Sequence, residues 1–175
     1  MDKIFKKSVQ MATKLNINNL DQRRDFQEFL EKLEFVKNTG RYSRLLKDYY
    51  SCNDSNNLES IIFEIHFAYV FESANLPLKY EVKQDGRKGS VDFLRESDCG
   101  KRIYFELHNA QELLEIKKSI SDQINSQPFY AVGLDFQGER SQVLHVKSKI
   151  ESKISKYSST ADNIYNVVVA NIAET

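Results

Sequence analysis

The sequence is poor in the residues that mark several special classes of protein. Its 175 residues include only six Gly, two Pro and two Cys. So few Gly and Pro exclude collagen-like and low-complexity chains, and an apolar fraction of 41% is too high for a disordered one. Cys52 and Cys99 have no further Cys or His at zinc-finger spacing, which predicts two ordinary thiols in a reducing compartment. The length indicates about one domain.

A net charge and long apolar runs are also missing. The 25 Lys and Arg residues balance 25 Asp and Glu residues, so the overall charge neither indicates a polyanionic partner nor excludes a local basic groove. The N-terminal segment MDKIFKK lacks the apolar core of a signal peptide. Aliphatic runs such as 167–170 are far shorter than the roughly 18 residues that span a bilayer. We therefore expect a cytoplasmic protein that does not contact the membrane.

Residues 1–56 have the pattern of a helical N-terminal extension. Apolar side chains recur at spacings of three and four within residues 21–37, and a shorter helix is predicted to follow. The turn-forming and capping residues SCNDSNN, at 51–57, then interrupt the helical pattern. We predict that the main domain occupies residues 57–175 and that the extension packs on it.

The main domain begins with a helix and continues with short strands. Residues 58–74 predict a buried helix, because the run IIFEIHFAYVF is apolar apart from Glu64 and His66. His66 is expected to be a core histidine with satisfied hydrogen bonds. The segments that follow are strands 78–83, 90–95, 102–108, 129–136 and 164–172, and helices 111–125 and 141–157. This α-β-β-β-α-β-α-β order predicts an α/β fold with a mixed central sheet flanked by helices.

The hairpin of the second and third strands brings acidic side chains together. With its turn centred on Cys99, Asp92 lies opposite Glu106, and alternation places Glu106 and His108 on one face. Like charges that face each other across a sheet are unfavourable, so this pair requires a compensating cation. A register slip of one residue would separate the side chains and favour an α/β adaptor protein unrelated to nucleases.

Glu64 adds a third carboxylate from the helix that precedes the hairpin. A charged side chain on an otherwise apolar helix is costly to bury unless it is paired or bound to a metal. Carboxylate oxygens, together with a backbone carbonyl and water, form a hard-ligand site suited to Mg²⁺, Mn²⁺ or Ca²⁺. Such an ion can polarise a phosphoryl oxygen and activate a bound water.

Glu64, Asp92 and the Glu106-Leu107-His108 element resemble the motif of the PD-(D/E)XK, or restriction-endonuclease-like, nuclease superfamily. The resemblance implies a divalent-metal-dependent nuclease that hydrolyses the phosphodiester bonds of nucleic acid, with DNA as the expected substrate and Mg²⁺ or Mn²⁺ as the cofactor. It also implies that Asp92, Glu106 and the backbone carbonyl of Leu107 bind the ion. Glu64 would bind it directly or through water.

The sequence departs from the pattern of this family at two positions. The likeness spans about residues 57–136, but Val91 precedes Asp92 where the family often has proline, and His108 replaces the motif lysine. A neutral histidine does not carry the positive charge of a lysine, although it can act as a general base or an additional metal ligand. The alternative is therefore a catalytically inactive nuclease-fold protein that binds nucleic acid or a protein partner.

Further basic and amide side chains are weaker candidates for contact with phosphate. They lie around the first turn of the sheet or on the predicted helix 141–157. These residues are Lys83, Arg87, Lys88, Gln142, Lys149 and Lys153. Because nucleases that cut both strands of DNA often dimerise, a homodimer is a further expectation.

Overall fold

The computed structural model describes residues 20–83, 89–110, 147–154 and 162–172. The predicted helix 111–125 and strand 129–136 lie outside the described residues, as do Arg87, Lys88 and Gln142.

Three helices make up the first part of the described chain: α1 (Leu20–Asn38), α2 (Ser43–Ser51) and α3 (Ser55–Ser73). Helix α1 is followed by Gly40, whose φ of 72° lies in the left-handed region that commonly terminates a helix. Helix α3 begins after Asp54, whose carboxylate accepts a hydrogen bond of 2.8 Å from the backbone N–H of Asn57. The sequence predicted α1 and α3 to within a few residues at each end, and it predicted the presence of α2 without its bounds.

Four strands form one mixed sheet: β1 (Lys79–Lys83), β2 (Ser90–Glu96), β3 (Arg102–Ala110) and β4 (Ile164–Ile172). They lie in the order β1-β2-β3-β4. The first three strands are antiparallel to their neighbours, whereas β4 runs parallel to β3. The parallel pair requires a crossover connection, and residues 147–154 of that connection are helical. The predicted α/β class and mixed sheet are confirmed.

The register of the β2–β3 hairpin agrees with the prediction. Leu94 pairs with Tyr104 and Glu96 with Arg102. The last pair of the ladder is Phe93 with Phe105. Asp92 and Glu106 come next on their respective strands, one residue beyond this pair.

Helices α1 and α2 share one hydrophobic core with α3 and the sheet. Phe67 of α3 packs against this core, with its ring centroid 5.2 Å from those of both Phe93 and Phe105. The buried side chains of this core include Phe29, Leu33, Val36, Leu45, Tyr49, Ile65, Ala68, Phe93, Phe105 and Leu107. The division into an extension and a main domain stays a prediction. None of the helices in the described ranges is long and apolar enough to cross a membrane.

Helix α3 and strand β4 are less buried than predicted. Helix α3 contacts α1, α2 and β3, yet Val70 remains 60% exposed. On β4, Tyr165 is 44% exposed. His66 lies 5.7 Å from the ring centroid of Phe29, and its buried Nε2 atom has no hydrogen-bond partner among the described residues. The expectation of a fully satisfied core histidine was therefore wrong, because this ring packs against an apolar neighbour.

Candidate functional site

The predicted acidic residues lie where the ladder between β2 and β3 ends. Beyond the pair of Phe93 and Phe105, the backbone N–H of Leu107 donates a hydrogen bond of 2.6 Å to Oδ2 of Asp92. The carbonyl oxygen of Leu107 accepts a hydrogen bond of 2.7 Å from Nζ of Lys153. In an antiparallel pair the N–H and C=O of one residue point to the same side. Side chains thus satisfy both backbone groups of Leu107.

Lys153 also binds the buried carboxylate of Glu106. Its Nζ lies 3.0 Å from Oε1 of Glu106, so one ammonium group bridges this carboxylate and the carbonyl of Leu107. The sequence predicted that the acidic pair needs a compensating cation. In the structure, the ammonium group of Lys153 serves as a cation for Glu106, and it comes from the helical segment 147–154.

Glu64 is hydrogen-bonded by a tyrosine and lies within electrostatic reach of Asp92. The hydroxyl of Tyr80 donates a hydrogen bond of 2.8 Å to Oε2 of Glu64. Burial raises the pKa of Glu64 to about 7; the hydrogen bond from Tyr80 opposes the rise, and the negative charges of Asp92 and Glu81 add to it. Burial, reinforced by the charge of Glu64, also raises the pKa of Tyr80, which keeps its hydroxyl protonated as a donor. Glu64 can therefore exchange a proton near neutral pH.

Glu81 is an acidic residue of this region that sequence analysis missed. On β1 it lies between Tyr80, which pairs with Phe93, and Val82, which pairs with Val91, and is therefore level with Asp92. Its φ of 48° is in the left-handed region, which is strained for a residue other than glycine and costs about 1 kcal/mol or more. Its carboxylate forms an ion pair with Arg44 of α2. The alternation in LKYEVK was visible in the sequence, but sequence analysis predicted no register between this strand and β2, so it did not show which residue would lie level with Asp92.

The remaining predicted site residues within the described ranges are His108, Lys83 and Lys149. His108 follows Glu106 by two residues on β3, is half-buried, and pairs with Ala170 of β4. Lys83 ends β1 and is exposed, and Lys149 is exposed one turn before Lys153. The structure thus brings Asp92, Glu106, Leu107 and Lys153 together, and Glu64 lies close enough to sense the charge of Asp92.

The oxygen atoms of the site suit a hard cation, although the acids alone do not enclose one. Within the ranges that the structure describes, no three Asp, Glu, His or Cys side chains lie close enough together to hold a metal ion. A divalent ion here would depend on the carbonyl of Leu107 and on water in addition to the acids. Glu106 and Leu107 already present oxygens to one cation, because both accept a hydrogen bond from Lys153.

Comparison of the chain with protein-family models, with curated proteins and with solved structures finds no match. The function must therefore be inferred from the site itself.

Proposed function

We propose that the protein is a divalent-metal-dependent nuclease of the restriction-endonuclease-like kind, which hydrolyses phosphodiester bonds in DNA. One observation carries the proposal. The carboxylates of Asp92 and Glu106 both lie at Leu107, one bound to its N–H and the other sharing a cation with its carbonyl. The full restriction-endonuclease-like order of helices and strands, and a homodimer that cuts both strands, belong to the same proposal.

Each residue of the site has a role in this proposal. Asp92, Glu106 and the carbonyl of Leu107 would hold Mg²⁺ or Mn²⁺, with Glu64 binding directly or through water. The bound ion would polarise a phosphoryl oxygen and lower the pKa of a water molecule. Glu64, whose pKa is about 7, is suited to holding or releasing a proton near neutral pH. His108 takes the position of the motif lysine and would assist the attacking water.

Cleavage assays with a matched pair of variants test this proposal. The purified chain is incubated with single- or double-stranded DNA and Mg²⁺ or Mn²⁺, with a chelator as the blank. Asp92→Asn, which removes the charge and keeps the shape, should reduce cleavage at least ~100-fold. Glu96→Gln is the control, because Glu96 lies on the same strand but forms a surface ion pair with Lys79. An inert wild type with every substrate, or full activity of Asp92→Asn, contradicts the proposal.

The second candidate is a catalytically inactive nuclease-fold protein that binds nucleic acid or a protein partner. The contact of Lys153 with Glu106 and Leu107 favours it, since an ammonium already meets the charge that a metal would otherwise meet. Fluorescence anisotropy of labelled DNA, measured in chelator, separates the two candidates. Binding of DNA without cleavage after Mg²⁺ is added supports the inactive protein, and metal-dependent cleavage excludes it.

A further inference from the structure

Lys153 differs from Lys147, which lies on the same helical segment, in what it contacts. Lys147 pairs with Glu151 one turn away at 3.8 Å, and both side chains are about 65% exposed. Lys153 instead crosses to the sheet, where its Nζ lies 3.0 Å from Oε1 of Glu106 and 2.7 Å from the carbonyl oxygen of Leu107. Its side chain is only 21% exposed, and that of Glu106 is 8% exposed.

The contacts of Lys153 are specific to the centre of the site. A surface ion pair contributes little to stability because water screens it, whereas a largely buried carboxylate needs a charged partner. The ammonium group donates to the side chain of Glu106 and to the neighbouring carbonyl, which are two of the oxygens that the proposed metal ion would use. An ammonium and a divalent ion cannot both occupy the space between these two atoms.

The segment that carries Lys153 allows its ammonium to leave this position. Its neighbours Ser152 and Ile154 are exposed, as are Lys149 and Glu151 earlier in the segment. A lysine side chain is long and flexible, and its ammonium is strongly hydrated in water. Once released from Glu106, it can therefore turn toward solvent.

We propose that Lys153 is a displaceable internal cation that competes with divalent metal for Glu106 and the carbonyl of Leu107. The inference rests on the proposed nuclease site and specifies how that site is regulated. In the metal-free protein the ammonium neutralises Glu106. Binding of Mg²⁺ or Mn²⁺ displaces it, and the two cations weaken each other's binding reciprocally.

Titration of the full chain with Mn²⁺ by calorimetry tests the competition directly. Lys153→Met removes the ammonium and keeps much of the aliphatic stem, so Mn²⁺ should bind roughly tenfold more tightly than to the wild type. Lys153→Arg keeps the charge and should bind Mn²⁺ no more tightly than the wild type does. Lys147→Met is the matched control on the same segment, and it should leave Mn²⁺ affinity unchanged.

A second measurement uses only the wild-type protein, so it does not depend on whether a variant folds. The rate at which acetic anhydride modifies each lysine is measured by mass spectrometry with and without Mg²⁺. Displacement should raise the reactivity of Lys153 several-fold and leave that of Lys147 unchanged. If Lys153 stays equally protected while Mg²⁺ is bound, the competition is overturned.

The outcomes separate this inference from the proposed function. Equal, measurable affinity of wild type and Lys153→Met for Mn²⁺ overturns the competition and leaves the metal site intact. Absence of Mn²⁺ binding in both proteins overturns the competition together with the metal site. Tighter binding to Lys153→Met alone supports the competition, whether or not DNA is cleaved.

Discussion

Two buried glutamates, Glu72 and Glu106, show how differently this protein treats a carboxylate in its interior. Glu72 is 5% exposed and Glu106 is 6% exposed. Glu72 accepts hydrogen bonds from Arg41 (2.9 Å to Nε) and Tyr42 (2.5 Å), and a longer one of 3.4 Å from the backbone N–H of Leu78. A second guanidinium nitrogen of Arg41 also binds it. The carboxylate is surrounded by donors.

The surroundings of Glu72 stabilise its negative charge. Burial alone would raise the pKa of Glu72, but the hydrogen bonds from Arg41 and Tyr42 outweigh burial and leave its pKa below the ordinary value. These donors lie between α1 and α2, and Leu78 lies directly before β1. Glu72 therefore joins the N-terminal helices to the start of the sheet.

Glu106 instead shares its cation with a backbone carbonyl. Like Asp92 on the neighbouring strand, it lies one residue beyond the last pair of the β2–β3 ladder. Its ammonium partner comes from a segment whose residues are mostly exposed. The comparison teaches that burial does not by itself distinguish a structural acid from a candidate functional one. The distinguishing property is the set of partners: a guanidinium, a buried hydroxyl and a backbone N–H all donate to Glu72, whereas the ammonium that binds Glu106 also binds a backbone carbonyl.

The largest expected effect on stability is at Glu72, the structural carboxylate of this comparison. Glu72→Gln should lower the free energy of unfolding by about 2–3 kcal/mol, because it removes the charged acceptor of the buried Tyr42 hydroxyl, whereas the half-exposed guanidinium of Arg41 can turn to water. Urea denaturation measures the change. Glu34→Gln removes an exposed pair with Lys37 and should change stability by less than about 0.5 kcal/mol. Equal effects of the two substitutions would mean that Glu72 does not join the helices to the sheet.

A smaller effect is expected at Glu64, and it depends on pH. The native protein keeps Glu64 protonated up to a pH of about 7, whereas the unfolded chain releases that proton near the ordinary value of 4.5. The contribution of Glu64 to stability therefore falls as pH rises from 4.5 to 7 and stays low above it. Glu64→Gln does not ionise, and above pH 7 it should be more stable than the wild type by about 2 kcal/mol.

Urea denaturation of both proteins at pH 5 and pH 8 checks this prediction. The difference between variant and wild type, which cancels the titration of other groups, should be larger at pH 8. If the difference in free energy of unfolding between variant and wild type is the same at both pH values, folding does not raise the pKa of Glu64.

Among Glu72, Glu64 and Glu106, the smallest change in stability is expected for Glu106→Gln. The substitution removes the desolvation cost of the buried charge, Lys153 can turn to water, and Asp92 loses a neighbouring like charge, so the free energy of unfolding should change by less than about 1 kcal/mol. The same substitution should abolish Mn²⁺ binding in a calorimetric titration. A loss of stability as large as that of Glu72→Gln would instead make Glu106 a second structural carboxylate and weaken the proposed function.

Local patterns predicted much of the fold that the structure describes. The spacing of apolar residues indicated α1 and α3, and the short turn centred on Cys99 constrained the register of β2 and β3. The sequence did not indicate which residues would donate hydrogen bonds to the acids of the site. Tyr80 had no recognisable signal as the partner of Glu64, and Lys153 was predicted only to contact phosphate.

The sequence by itself determined that a largely apolar helix precedes a hairpin and that Asp92 and Glu106 occupy facing positions on its two strands. Such features depend on the helical and strand periods and on a short turn, which are local properties. Only the tertiary structure decided which cation meets these acids. Lys153 reaches Glu106 because the crossover between parallel strands β3 and β4 brings its helical segment back to the sheet. Contacts between residues so far apart in the chain depend on the packing of whole elements, which no local pattern encodes.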